Sequence, residues 1–83
     1  MYKVIIAPEA KKELKKISKL YKQAIRIAIN DICEDPYIGK PLKREFLKKY
    51  SYRIGVNRII YKIDEKEKKV YVFSAGHRSL IYN

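Results

Sequence analysis

The chain has 83 residues, with 20 lysines and arginines against nine acidic residues, and a formal net charge of +11. This length predicts a single domain with a small core. One cysteine excludes an internal disulfide, and no apolar stretch approaches the roughly 20 residues that span a bilayer. Without a secretory signal, we expect a cytoplasmic protein. So basic a chain suits a polyanionic partner: nucleic acid first, an acidic protein second, a membrane surface third.

The first half of the sequence predicts a strand and two helices. Residues 2–7 favour a short strand, and Pro8 suits the first turn of a helix. A second helix is expected over residues 21–34, because Ile25, Ala28, Ile29 and Ile32 recur at helical spacing. The break near residues 18–21 is short, so the helices should form an antiparallel hairpin. Five lysines of this region are either a solvated surface or a contact for RNA or an acidic partner: Lys11, Lys12, Lys15, Lys16 and Lys19.

Residues 36–49 predict an irregular basic connection, because two prolines and a glycine interrupt any long regular element. Leu42, Phe46 and Leu47 should hold it to the core. Its basic side chains are expected to lie beside the next element and to contact RNA: Lys40, Lys43, Arg44, Lys48 and Lys49.

Residues 51–64 predict two strands joined by a tight hairpin, since period-two alternation continues on both sides of Gly55-Val56-Asn57. Tyr61 and the other apolar residues of the alternation define the core face. Arg53 and Arg58 should therefore meet on the opposite face. Two guanidinium groups on rigid backbone can bind a phosphate with fixed geometry.

Residues 70–75 are apolar on both faces, which is typical of a central strand. If this strand pairs with residues 58–63, its end brings Arg78 towards the hairpin, with His77 and Tyr82 nearby. Three arginines can stabilise the charge of a phosphoryl-transfer transition state, and Tyr82 can stack on an unpaired base. The element order predicts an α+β domain: an N-terminal strand, a helical hairpin and a mostly antiparallel, curved sheet of three to four strands.

We expect no metal and no cofactor, because one histidine and one cysteine cannot build a metal site and the acids do not cluster. Metal-independent cleavage points to RNA, whose own 2′-hydroxyl can attack the adjacent phosphate. The general base is left open. Arginine stays protonated, and lysine with its ordinary pKa of about 10.4 is rarely neutral at pH 7. His77 titrates near neutrality and Glu45 is a second candidate, although both residues also suit an ordinary surface position.

Four motifs, in this order and spacing, resemble the RelE/ParE toxin superfamily over nearly the whole chain. They are Pro8-Glu9-Ala10, Asp35-Pro36…Gly39-Lys40-Pro41-Leu42, Tyr52-Arg53-Ile54-Gly55…Arg58-Ile59-Ile60-Tyr61 and Gly76-His77-Arg78…Tyr82. The resemblance implies the toxin of a type II toxin–antitoxin pair. RelE-like members cleave messenger RNA, generally in the ribosomal A site, leaving a 2′,3′-cyclic phosphate and a 5′-hydroxyl. ParE-like members bind DNA gyrase and are not nucleases. Both kinds are neutralised by an antitoxin that wraps the toxin, which implies an acidic antitoxin as partner.

The resemblance also implies roles for individual residues. Arg58 matches the arginine that stabilises the phosphate, and Arg78 matches one that acts on the leaving group. Tyr82 matches a tyrosine that orients or stacks on the nucleotide. Arg53 lies where a relative has the first of two active-site lysines, and the second has no match. The predicted function is a RelE-like endoribonuclease; the alternatives are a ParE-like gyrase-binding toxin and a non-catalytic nucleic-acid-binding domain.

Overall fold

The computed structural model describes residues 1–42 and 49–77, which form two helices and a five-stranded sheet. The first elements are strand β1 (Lys3–Ile6), helix α1 (Pro8–Lys15), helix α2 (Lys19–Glu34) and a 3₁₀ turn (Pro36–Ile38). The remaining strands are β2 (Lys40–Pro41), β3 (Lys49–Ile54), β4 (Asn57–Asp64) and β5 (Lys69–His77). The predicted α+β class is confirmed.

The strand order in the sheet is β1-β5-β4-β3-β2. The outer strand β1 runs parallel to β5, and the other neighbours are antiparallel. β5 lies between β1 and β4, so it has a strand on each side, which confirms its prediction as a central strand. Val70 and Val72 of β5 belong to the core, and Phe73 is half-buried. These positions account for the continuous apolar run in the sequence.

Helix α2 begins at Lys19, two residues before the predicted start. The break between the helices falls at residues 16–18 rather than 18–21. Ser18 has extended backbone, with φ −61° and ψ 157°, and its carbonyl accepts the first helical hydrogen bond from the Lys22 amide at 2.9 Å. The apolar spacing did not reveal this start, because Leu20 in the first turn is exposed. Neither helix in the described part of the chain has the length and apolar composition needed to span a bilayer.

The connection after α2 is more regular than predicted, because it contains β2. Lys40 pairs with Ser51 and Pro41 with Tyr50, and the Leu42 amide donates to the Lys49 carbonyl at 2.8 Å. β2 is the outermost strand of the sheet, where a proline can sit without removing a hydrogen bond from a central ladder. β3 accordingly begins at Lys49, before the predicted hairpin. Residues 43–48 lie outside the described residues.

The core is formed between α2 and one face of the sheet. Ile25, Ala28 and Ile32 of α2 are buried there with the largest buried side chains of the sheet: Ile59, Tyr61, Val70 and Val72. Tyr50, Tyr52, Ile54 and Ile63 pack partly buried against this cluster, so the predicted core face of the hairpin is confirmed. Cys33 is a buried free thiol whose pKa is raised by burial and by the nearby Glu34 carboxylate.

Helix α1 contacts β5 through a polar side-chain link. The Ser74 hydroxyl donates to the Glu13 carboxylate, with distances of 3.0 and 3.1 Å to its two oxygens. Ala10 is fully buried, while Leu14 and Ile17 are half-buried. The five lysines singled out in the sequence are all exposed, so they remain accessible to a partner: Lys11, Lys12, Lys15, Lys16 and Lys19.

Replacing Ile32 with alanine is expected to lower the free energy of unfolding by about 2–5 kcal/mol, because it leaves a cavity in the core. Ile27→Ala is the matched control, since Ile27 lies on the same helix with 65% of its surface exposed. Its effect should stay within about 0.5 kcal/mol. Urea unfolding followed by circular dichroism measures both. Equal losses in the two variants would contradict the packing of α2 described here.

Candidate active site

The tight turn between β3 and β4 fixes the register of the hairpin. Gly55 has a φ of +58°, a left-handed backbone that glycine adopts without a steric penalty. A Cβ at this position would have no atom within 4 Å, so the backbone conformation, rather than space, favours glycine. The two-residue turn Gly55-Val56 then brings Ile54 opposite Asn57 and Arg53 opposite Arg58.

Arg53 and Arg58 line one cleft on the hairpin, as predicted. They are direct cross-strand partners, so their side chains leave the same face of the sheet. Arg53 is exposed and Arg58 is half-buried. The cleft between them and the neighbouring chain has a volume of about 480 Å³. Two guanidinium groups on adjacent strands can donate to the same anion, which makes this arginine pair a candidate for binding a phosphate.

A second wall of the cleft comes from the 3₁₀ turn and from β2, the strand next to β3. Lys40 of this wall is exposed and adds a third cationic side chain to the cleft. The other residues that line the cleft are mostly apolar or small: Ile38, Gly39, Pro41, Leu42, Ser51 and Tyr52. Cations fixed beside apolar surface can bind a phosphate group and also contact a sugar or a base.

Tyr61 connects this wall to β4 through its hydroxyl group. The hydroxyl donates to the Pro36 carbonyl at 2.6 Å and accepts from the Gly39 amide at 3.1 Å. The ring is fully buried and stacks on Tyr50, with 5.7 Å between the ring centroids. Burial raises the pKa of Tyr61 to about 12, although the hydrogen bond from Gly39 acts in the opposite direction. The Asp35 carboxylate accepts from the Tyr37 amide at 3.2 Å and so caps the 3₁₀ turn.

The other predicted site residues have different positions. His77 is the last residue of β5, where it pairs with Asn57, next to the pair formed by Gly76 and Arg58. Lys49 is not part of the cleft lining. It belongs to β3, and its Nζ lies 4.7 Å from the centroid of the Phe73 ring, which is a cation–π distance. Six candidates lie outside the described residues: Lys43, Arg44, Glu45, Lys48, Arg78 and Tyr82.

Sequence reasoning missed most of the apolar wall and the role of the Tyr61 hydroxyl. Tyr61 was assigned to the core face by its alternation, which gives no information about a partner for its polar end. The sequence feature that could have indicated a close contact here is Gly39, a glycine that lies between a turn starting with proline and a basic segment. Among the described residues, no three histidine, cysteine or acidic side chains come together as metal ligands would.

Proteins that share this fold and sequence pattern are toxins. A family model described as "ParE toxin of type II toxin-antitoxin system, parDE" matches residues 4–82. The chain therefore belongs to this family, within the RelE/ParE superfamily, and is a toxin of a type II toxin–antitoxin system. This result confirms the predicted superfamily.

Individual relatives include both RelE-type sequences and RelE-type structures. Toxin RelG from Mycobacterium tuberculosis (strain ATCC 25618 / H37Rv) is 31% identical over 83 residues, covering 98% of this chain and 95% of RelG. A chain of the toxin–antitoxin complex RelBE2 from the same species is 32% identical with a TM-score of 0.85, covering 93% of this chain and 98% of that one. The isolated RelE toxin of E. coli has a TM-score of 0.81 at 22% identity, covering 99% and 92%, which supports the fold alone.

Between pH 10 and pH 12, stability should fall in a way that depends on the Tyr61 hydroxyl. Its pKa is raised from 10.0 to about 12 in the folded protein, so its contribution is complete below pH 10 and is lost as the pH rises through 12. Urea unfolding across this range should show a smaller decline for Tyr61→Phe than for the wild type.

Tyr50→Phe serves as the control, because it removes a neighbouring phenol and leaves Tyr61 in place. A decline as small in Tyr50→Phe as in Tyr61→Phe would contradict the assignment to Tyr61.

Proposed function

We propose that this toxin is a metal-independent endoribonuclease that cleaves messenger RNA, with the ribosome as the place of cleavage. The observation that carries the proposal is the cleft that the cross-strand pair Arg53 and Arg58 lines together with Lys40. Three cationic side chains on strand backbone match the needs of a bound phosphodiester. The resemblance of the sequence motifs to RelE-like toxins implies the same reaction class, and the fold is similar to that of the isolated RelE toxin of E. coli.

The reaction needs no external nucleophile. The ribose 2′-oxygen attacks the adjacent phosphorus, and the bond from phosphorus to the 5′-oxygen breaks. The products are a 2′,3′-cyclic phosphate and a 5′-hydroxyl, so the 2′-hydroxyl loses a proton and the leaving 5′-oxygen gains one. The protein's tasks are to hold the RNA in line for attack, to stabilise the negative charge of the transition state, and to move these two protons.

Arg58 has the leading part in charge stabilisation. It is half-buried, and a charge in a partly water-excluded site acts more strongly on a phosphate than an exposed one. Arg53, which is exposed on the adjacent strand, binds a second phosphate oxygen. Lys40 contacts the RNA backbone from the wall formed by the 3₁₀ turn and β2. The apolar side chains of Ile38 and Leu42 pack against the sugar or base.

Proton transfer belongs to the end of β5 and the residues beyond it. His77 takes the proton of the 2′-hydroxyl, because its imidazole is the side chain that ordinarily titrates near neutral pH. β5 ends beside the strand that carries Arg58, because Gly76 pairs with Arg58 and His77 with Asn57, although the pleat turns residue 77 to the face opposite Arg58. Arg78 stabilises the leaving oxygen and Tyr82 stacks on a base, as the superfamily resemblance implies. Glu45 is the second candidate for the base.

The proposed protein partner is an acidic antitoxin. The relative in the RelBE2 complex, at 32% identity, belongs to a toxin–antitoxin complex. In the present chain, a net charge of +11 and the exposed lysines of α1 favour an acidic segment. An antitoxin that also covers the cleft would block access of RNA to Arg53 and Arg58.

The name of the matched family supports one alternative. ParE-like toxins bind DNA gyrase, and the family model that covers residues 4–82 is described as a ParE toxin. Such a protein would inhibit supercoiling by purified gyrase and would leave RNA intact. A third possibility is a non-catalytic nucleic-acid-binding domain, whose affinity would fall steeply with salt and depend on many lysines rather than on three arginines.

Arg58→Gln is expected to lower the rate of RNA cleavage by about 100-fold or more, because it removes a charge from the phosphate site. The assay adds the purified protein to a translating extract and maps new 5′ ends on a reporter messenger RNA. Arg26→Gln is the matched control, since Arg26 is exposed on α2, away from the cleft lining. It should cleave at the wild-type rate. Arg78→Gln tests the proposed leaving-group role in the same assay.

The outcomes separate the candidate functions. Cuts that require Arg58 and occur only on translated RNA support a ribosome-dependent nuclease, whereas cuts on ribosome-free RNA remove the ribosome from the proposal. Full activity of Arg58→Gln would rule out this site. Intact RNA together with inhibited gyrase would favour the ParE-like function.

Binding to the antitoxin should depend on the lysines of α1. The triple variant Lys12→Gln, Lys15→Gln and Lys16→Gln is expected to associate more slowly with the protein encoded by the neighbouring gene, because electrostatic attraction accelerates association. Surface plasmon resonance at several salt concentrations measures this effect. The difference between variant and wild type should shrink as salt rises. An association rate that is unaffected by the three substitutions and by the salt concentration would argue against an acidic partner on this helix.

A further inference from the structure

One buried side chain that does not line the cleft, Tyr61, makes two hydrogen bonds to the segment that forms one wall of the cleft. We propose that Tyr61 is a positioning residue for the candidate active site: through its hydroxyl it holds Gly39, and with it Lys40, in place in the cleft that Arg53 and Arg58 also line. The inference rests on the proposed function, since it assigns Tyr61 a part in the activity of that same cleft.

The Tyr61 hydroxyl makes two hydrogen bonds to the backbone, one at the start of the 3₁₀ turn and one just after its end. It donates to the Pro36 carbonyl, at the first residue of the turn, and accepts from the Gly39 amide, just after the turn. Gly39 immediately precedes Lys40. Because Tyr61 lies on the same strand as Arg58, one hydroxyl links the wall that carries Lys40 to the strand that carries an arginine of the site.

The position of the hydroxyl is itself fixed by packing. The Tyr61 ring is fully buried and stacks on Tyr50 at an interplanar angle of 19°. Tyr37, from the 3₁₀ turn, contacts the other ring of this stack edge-on, with 5.9 Å between the centroids of Tyr37 and Tyr50. The turn is thus held by aromatic packing and by hydrogen bonds, and the hydroxyl bonds directly to the backbone at its far end.

Gly39 allows the wall to come this close to β3 and β4. A Cβ at residue 39 would lie 2.5 Å from the Tyr61 hydroxyl oxygen and 2.9 Å from the Ser51 carbonyl oxygen. Real Cβ atoms do not approach oxygen so closely, so any side chain at residue 39 must push the wall outwards. The φ of Gly39 is −80°, which other residues adopt readily, so the requirement is for space.

The hydroxyl keeps its proton at the pH values where RNA would be cleaved. Burial raises the pKa of Tyr61 to about 12, so the group remains a donor to the Pro36 carbonyl throughout that range. The ring supplies apolar burial and the hydroxyl supplies the two hydrogen bonds. Tyr61→Phe separates these contributions, because it keeps the ring and removes the bonds.

The test compares Tyr61→Phe with Tyr50→Phe. The Tyr50 hydroxyl makes no hydrogen bond in the described part of the chain, so its removal is a matched loss of one oxygen. Tyr61→Phe should lower kcat for messenger RNA cleavage by about 10- to 100-fold, as expected when a group of the site is misplaced by about 1 Å. Tyr50→Phe should keep at least half of the wild-type kcat.

Two further measurements distinguish positioning from general stability. Amide hydrogen exchange at Gly39, followed by NMR, should accelerate in Tyr61→Phe, while exchange at the core residues Ile59 and Val72 stays slow. Gly39→Ala moves the same wall but keeps the hydroxyl, and it should reproduce the loss of kcat. This second variant decides the question if Tyr61→Phe fails to fold.

The inference and the proposed nuclease function can fail separately. If the wild type cleaves RNA and Tyr61→Phe cleaves equally fast with accelerated Gly39 exchange, the positioning role is overturned and the nuclease stands.

A binding assay uses an RNA oligonucleotide that cannot be cleaved because it lacks the attacking 2′-hydroxyl. If the wild type binds this RNA without cleaving RNA, and Tyr61→Phe binds at least tenfold more weakly, the nuclease proposal fails and the positioning role stands. A wild type that neither cleaves nor binds overturns both.

Discussion

The antiparallel pairing of β3 with β4 is the interaction on which the rest of the structure depends. Its register brings Arg53 opposite Arg58 on one face and brings Tyr50 opposite Tyr61 on the other. A slip of one residue would exchange the faces, burying the two guanidinium groups and exposing the tyrosines. The same backbone hydrogen bonds therefore place the two arginines in the candidate site and place the tyrosines on the face that packs against α2.

The two faces of the hairpin have different tasks but are coupled through β2. Lys40 pairs with Ser51 through the backbone, while the preceding residue, Gly39, is held by the Tyr61 hydroxyl from the core side. The cleft wall is thus supported by strand pairing in the plane of the sheet and by a hydrogen bond from the core side. Such double support suits the proposed nuclease function, because in-line attack on a phosphate tolerates little movement of the charged groups.

The strands that follow a period-two pattern were predictable from sequence, and so was the shared face of Arg53 and Arg58, because alternation along a strand fixes which side chains point together. β2 was not predictable, since two residues carry no periodicity and exist as a strand only through their pairing with β3. The same holds for the cleft wall at Ile38 and Leu42. Its position depends on a tertiary hydrogen bond to Tyr61, a residue that alternation assigns to the core without identifying its partners.

The parallel pairing of β1 with β5 has a consequence for how the chain folds. Lys3 pairs with Lys69, so nearly the whole chain must be closed into a loop before this contact forms. The β3–β4 and β4–β5 contacts are local by comparison and can form first, whereas contacts between distant residues slow folding. During synthesis the sheet cannot be completed until its last strand has left the ribosome. A nascent chain therefore carries β1 unpaired until β5 has been synthesised and has emerged.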